Sequence, residues 1–239
     1  AARSYSRRST ANRLHVVFAT WRSANHYLVN GTRCFTAVGC SAAAIVVDVI
    51  HLRNGYISVG VDALHGGRLS SLQIGEHELL VQQTAQANPR EWGCYPMSPW
   101  AGRVRNGAFT HNNSSHQLPI NEPPHSLHGT VLDAKWRVEE HTDTHAVLHT
   151  TFDQRWPFGG RIEHRIDVSE NSVLLTLTAF AEREAMPIQV GWHPWFVKPI
   201  VFDAPFTQML LRDDQGITTT ESIHTSFAST HEGITDDCF

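Results

Sequence analysis

From about Leu52 onward the chain alternates apolar and polar residues with a period of two. In "ISVGVD", Ile57, Val59 and Val61 alternate with Ser58, Gly60 and Asp62, the pattern of a strand with one apolar face. The clearest case is "RIEHRIDV", where Ile162, Ile166 and Val168 share a face with His164, and Arg161, Glu163, Arg165 and Asp167 take the other. Successive side chains of a strand point to opposite sides, so this spacing predicts a half-buried strand. "SVLLTLTAF", residues 172–180, is rich in β-formers and fits either a half-buried or a fully buried strand. Short strands separated by "HGG", "NEPP", "PFGG" and "SEN", with no convincing amphipathic helix, predict an all-β domain. A large antiparallel β-sandwich is the expected layout.

Composition changes the picture at the amino-terminal end. Residues 1–47 hold six arginines and several serines, and all 23 acidic residues of the chain lie from Asp48 onward. An Arg- and Ser-rich, acid-poor leader resembles a transit peptide, and the run Cys34 to Val47 has the length of a signal-peptide core. With the first methionine at Met97, residues 1–50 are expected to lie outside the domain, which then occupies residues 51–239.

The whole chain of 239 residues, 41% hydrophobic and 18% charged, is long enough to bury a full core. A formal net charge of −4 argues against a nucleic-acid surface. No apolar run approaches the ~20 residues needed to cross a bilayer. A small neutral ligand fits this balance better. The four cysteines at 34, 40, 94 and 238 form no C-x-x-C pair and no zinc-finger spacing with histidine, so neither a disulfide framework nor a structural zinc is indicated and a reducing cytoplasm is expected.

Three clusters set polar groups beside aromatics and glycine: "SPWAGRVRNGAF" (98–109), "PPHSLHGT" (123–130) and "GWHPWF" (191–196). Aromatic faces beside fixed donors suit a sugar, whose ring faces stack while its hydroxyls demand directional hydrogen bonds. His193 stands between Trp192 and Trp195 and before Pro194, which favours an extended backbone. It reads either as a hydrogen-bonded packing residue or as a proton donor shielded from water, since imidazole titrates near neutrality. His128 precedes Gly129, where backbone can approach a ligand closely, and His125 reads as a surface loop residue. Arg103 and Arg105 alternate if the segment is extended, so one faces a site and the other solvent. His141, His145 and His149 have a spacing of four, but "THAVLHTTF" is strand-like, and strand residues four apart are separated by about 13 Å, too far to share a metal. No metal site is expected. The pair Asp213 and Asp214 reads as a turn.

Taken in order and at these separations, "GCYPMSPWAGRVRNGAF", "PHSLHG" and "GWHPWF" resemble the aldose 1-epimerase (galactose mutarotase) family from about residue 52 to the end. The resemblance implies a galactose mutarotase-like β-sandwich, no cofactor, and a hexose such as glucose or galactose as the partner molecule. It implies catalytic roles for His193, as the acid that protonates the sugar ring oxygen, and for His128, as a hydrogen-bonding partner near that oxygen. Arg103, Trp192 and Asp236 are the expected substrate-binding residues, with Asp237 as an alternative to Asp236. The family's base is a glutamate in a later segment that has no counterpart among these residues. The chain is therefore expected to be a fragment lacking its carboxyl-terminal segment, inactive by itself. The alternative is a non-catalytic carbohydrate-binding module of the same fold. A hexose-phosphate epimerase would need a basic pocket, for which Arg103 and Arg105 alone are thin support.

Overall fold

The computed structural model describes residues 49–200 and 208–224 in side-chain detail and places the backbone of the strands at 15–18, 201–204 and 227–231. In chain order the first strands are β1 (His15–Phe18), β2 (Val49–Asn54), β3 (Ile57–Asp62), β4 (Arg68–Ile74), β5 (His77–Glu78), β6 (Cys94–Met97) and β7 (Arg103–Val104). They are followed by β8 (Ala108–His111), β9 (Ser114–Gln117), β10 (Ser126–Leu127), β11 (Arg137–His141), β12 (His145–Thr151), β13 (Arg161–Val168) and β14 (Ser172–Phe180). The last are β15 (Gly191–Pro194), β16 (Ile200–Ala204), β17 (Gln208–Arg212), β18 (Thr218–His224) and β19 (Phe227–His231).

Two sheets form the body. One has the order β1-β14-β13-β12-β11; the other runs β15-β6-β4-β3-β2, with β5 paired to β4. All pairings are antiparallel except that of β1, which runs parallel to β14. The sheets bury Ile50, Leu52, Val59, Leu69 and Leu72 on one side against Leu148, Ile162, Ile166, Leu175 and Leu177 on the other. Each such side chain removed from water contributes about 1.5–3 kcal/mol before entropy is counted. The expected all-β sandwich is what forms.

The alternation predicted for β13 holds: Ile162, His164, Ile166 and Val168 are buried, and the residues between them are not. In β14 the ambiguity resolves in favour of a half-buried strand, with Val173, Leu175, Leu177 and Ala179 inside. β3 departs from simple alternation, because Gly60 and Asp62 are buried as well. Asp62 tolerates burial because its Oδ1 accepts the backbone N–H groups of Leu64 and His65, each at 3.0 Å. The turn that follows needs its glycine: Gly67 has φ +59°, and a Cβ there would lie 2.6 Å from the Trp136 ring.

β2 begins at Val49 and Ile50 is 2% exposed, so these two residues, assigned to the leader on composition, form part of the six-stranded sheet. His141 ends β11, while His145 and His149 lie on β12 within 3.3 Å of Glu140 and 3.6 Å of Glu139 respectively. They are strand residues, as their β-branched surroundings predict.

Candidate functional site

The site is organised by β15, an edge strand of the six-stranded sheet. Alternation along it sends Trp192 and His193 to opposite faces. Trp192 turns inward, packs on the core, and donates its indole N–H to His164 Nε2 at 3.2 Å. Trp192, an expected substrate-binding residue, is thus tied to the opposite sheet through His164.

His193 lies on the other face of the strand and is half-buried. It pairs in register with Tyr95 of β6, and the two rings stack with centroids 5.0 Å apart at 9°. Trp195, two residues on and therefore on the same face, adds a second stacked ring at 5.7 Å and 21°. His128 meets His193 edge-on, with centroids 5.1 Å apart and planes at 70°. Stacking occupies the faces of the His193 imidazole and directs its nitrogens to the rim, where hydrogen bonds form. Tyr95 and Trp195 are thus the aromatic neighbours of the histidine pair. Both occur within the motifs already singled out, but the register that brings Tyr95 opposite His193 joins residues almost a hundred apart and has no local signature.

Tyr95 is 1% exposed and rests on Arg68, whose guanidinium carbon lies 5.3 Å from its ring centroid and 4.0 Å from that of Trp92. Arg68 is fully buried, yet its N–H groups reach the carbonyls of His65 (2.6 Å), Pro89 (2.7 Å), Trp92 (3.0 Å) and Leu132 (3.1 Å). Burial pulls its pKa down to about 10, with Tyr95 and Asp62 opposing the shift, so the charge persists at neutral pH. A satisfied cation behind the Tyr95 ring holds the floor of the site rigid.

His128 is held by Gly102 at two points. Its Nδ1 accepts the Gly102 N–H at 3.2 Å, and its own backbone N–H donates to the Gly102 carbonyl at 3.0 Å. With Nδ1 accepting, the proton of the neutral ring sits on Nε2. The backbone of His128 is left-handed, φ 60°. Gly129 beside it has φ +76°, and a Cβ there would stand 1.9 Å from the Ser98 carbonyl oxygen. That carbonyl accepts the N–H of Thr130 at 2.8 Å, locking the loop to the segment after β6.

β7 pairs with β10 so that Arg103 lies opposite Leu127, one residue before His128. The Arg103 guanidinium packs on the turn between β17 and β18, where a Cβ on Gly216 would lie 3.2 Å from its Nη1. The strand ends at Val104 and the chain turns through Asn106 at φ 51°, so Arg105, exposed to solvent, reaches the same turn. There it pairs with Asp213 and bonds Gln215 Oε1 at 2.7 Å. Arg105, followed by the Ile217 N–H, holds the Asp213 carboxyl below the usual carboxylate range. Asp213 and Asp214 are turn residues, as expected.

His125 is buried rather than on the surface, 3% exposed, with Nδ1 accepting the Asn106 N–H at 3.2 Å. Asp236 and Asp237 lie outside the described residues. Among the described residues, no group of three or more His, Cys, Asp or Glu is placed to hold a metal ion.

A two-sheet antiparallel sandwich carrying this cluster has the fold of the galactose mutarotase-like proteins. A galactose 1-epimerase from Lactobacillus acidophilus NCFM superposes with a TM-score of 0.62 at 19% identity, over 74% of this chain and 58% of that one. The family model for aldose 1-epimerase matches residues 48–233, and the chain belongs to that family. It is also similar to two uncharacterized proteins of Escherichia coli K12. YihR is 26% identical over 169 residues, 65% of this chain and 54% of that protein. YphB is 27% identical over 107 residues, 43% of this chain and 36% of that protein. The chain therefore spans roughly a third to a half of the length of these relatives.

Proposed function

We propose that the protein interconverts the α and β anomers of a free hexose, with His193 as the general acid. A base takes the proton from the C1 hydroxyl, the bond between C1 and the ring oxygen breaks, and His193 protonates that oxygen to give the open aldehyde. Rotation about C1–C2 and reclosure on the other carbonyl face give the second anomer, and the protons return by the same route. His128 donates Nε2–H near the ring oxygen, and Arg103 and Asp236 bind hydroxyls. The base, by resemblance to the family, is a glutamate outside the three motifs. Each positioned acid or base contributes typically ~10²–10⁴-fold.

The observation that carries this reading is the half-buried pair of His128 and His193, 5.1 Å apart and backed by the Tyr95 ring. It offers two imidazoles to one small ligand beside aromatic faces. Galactose is the first substrate to try, on the strength of the Lactobacillus relative's name. A cytoplasmic location agrees with Cys94 being a free, buried thiol.

The test is to add the gene product that contains these residues to freshly dissolved α-galactose and α-glucose and to follow optical rotation. Acceleration above the buffer rate supports the epimerase. Saturable sugar binding without acceleration would instead assign a binding module, and neither effect would reject a sugar ligand.

A further inference from the structure

We infer that His164, on the opposite sheet from the site, is a positioning residue for His193, acting through its hydrogen bond to Trp192. The inference rests on the proposed role of His193. β15 has four residues and lies at the sheet edge, and its partner β6 meets β4 at a single register pair, Leu69 with Cys94. Backbone bonds from Trp195 to Gly93 (2.8 Å) and from Val81 to Trp195 (2.9 Å) secure the exit of the strand. Within the strand itself, the side chain that reaches across the core is Trp192.

The chemistry of this contact admits one arrangement. An indole N–H only donates, so His164 Nε2 must accept from Trp192, at 3.2 Å. The proton of the ring is then on Nδ1, which donates to the Gly67 carbonyl at 2.9 Å. His164 is 0% exposed, and burial pushes its pKa down to about 4, so the ring keeps this neutral tautomer at physiological pH. Trp136 stands edge-on to it at 6.1 Å and also packs on Gly67. With both nitrogens bonded and its surroundings filled, the imidazole fixes the indole. The indole in turn fixes the rotation of β15 about its axis. That rotation decides where the next side chain, His193, emerges against Tyr95 and His128.

Packing alone does not demand a histidine here. A leucine would fill much of the volume and leave the indole N–H buried without an acceptor. A mispositioning of about 1 Å at a catalytic group can cost ~10²-fold.

The experiment uses Trp192→Phe, which keeps most of the ring volume and deletes the donor, His164→Leu, and the double variant, all in the gene product. Each single change should lower kcat for mutarotation about tenfold or more with KM within about twofold. The double variant should regain melting temperature, since no orphan donor remains, but not kcat. A readout independent of activity is the proton shift of the His193 Cε1–H, set by the ring current of Tyr95 stacked at 5.0 Å. It should move in Trp192→Phe. An unchanged shift and kcat in a folded variant would overturn the inference, and so would recovery of kcat in the double variant. Failure of all three to fold would also count against it, because His164 would then be a structural pin alone. If the parent protein does not accelerate mutarotation, the proposed function fails, and the proton shift still decides whether the bridge orients His193.

Discussion

His164 should make the fold acid-labile in a defined window. The folded ring has a pKa of about 4 against an ordinary 6.5 in the unfolded chain, because burial disfavours the imidazolium, with the bond to Gly67 O opposing weakly. The folded value is the lower one, so as pH falls the unfolded chain binds a proton before the folded one does. The stability that neutral His164 contributes is complete above about pH 6.5 and is lost progressively down to about pH 4. The gap of about 2.5 corresponds to about 3 kcal/mol at ~1.36 per pKa unit, and the steepest slope is about 1.4 kcal/mol per pH unit. Urea unfolding at half-unit steps from pH 7.5 to 4 would measure it, with His164→Gln as reference. Glutamine can accept from Trp192 and donate to Gly67 without titrating. Subtracting the two curves isolates the histidine, leaving other acid-sensitive groups common to both. Parallel curves for parent and variant would refute the reasoning and show that protonation of His164 is not linked to unfolding.

Other consequences are as specific. Gly129→Ala would put a methyl 1.9 Å from the Ser98 carbonyl oxygen at a φ of +76°, and should cost at least about 2 kcal/mol in urea unfolding; a smaller loss would mean that the His128 loop relaxes freely. Arg103→Ala should raise KM for the sugar about tenfold or more with a smaller change in kcat, and an unaltered KM would remove Arg103 from substrate binding. A chain beginning at Asp48 should melt no lower than the longer one, as measured by calorimetry. A drop of several degrees would give β1 a stabilising role at the edge of β14.

The sandwich was legible because its strands obey a local rule. Ile162, His164, Ile166 and Val168 fall on one face in the sequence and on one face in the structure. His164 could be read as inward-facing, but its partners Gly67 and Trp192 belong to other strands and to a pairing that alternation does not encode. The same alternation, applied to "GWHPWF", separates Trp192 from His193 and groups His193 with Trp195. Tyr95 and the buried Arg68 behind it were illegible for a different reason. A buried arginine is recognisable only from the four carbonyls that satisfy it, and these come from four separate residues along the chain. The ion pair of the exposed Arg105 with Asp213 was illegible because it joins residues more than a hundred apart.

The role of His193 is tested most directly by His193→Asn, which keeps a polar side chain of similar reach but cannot deliver a proton near neutral pH. In the gene product, with folding verified and sugar binding measured by calorimetry, the rate of α-galactose mutarotation followed by polarimetry should fall by at least ~10²-fold while affinity changes little. A rate equal to that of the parent would contradict the assignment and make His193 a packing residue in the stack with Tyr95 and Trp195.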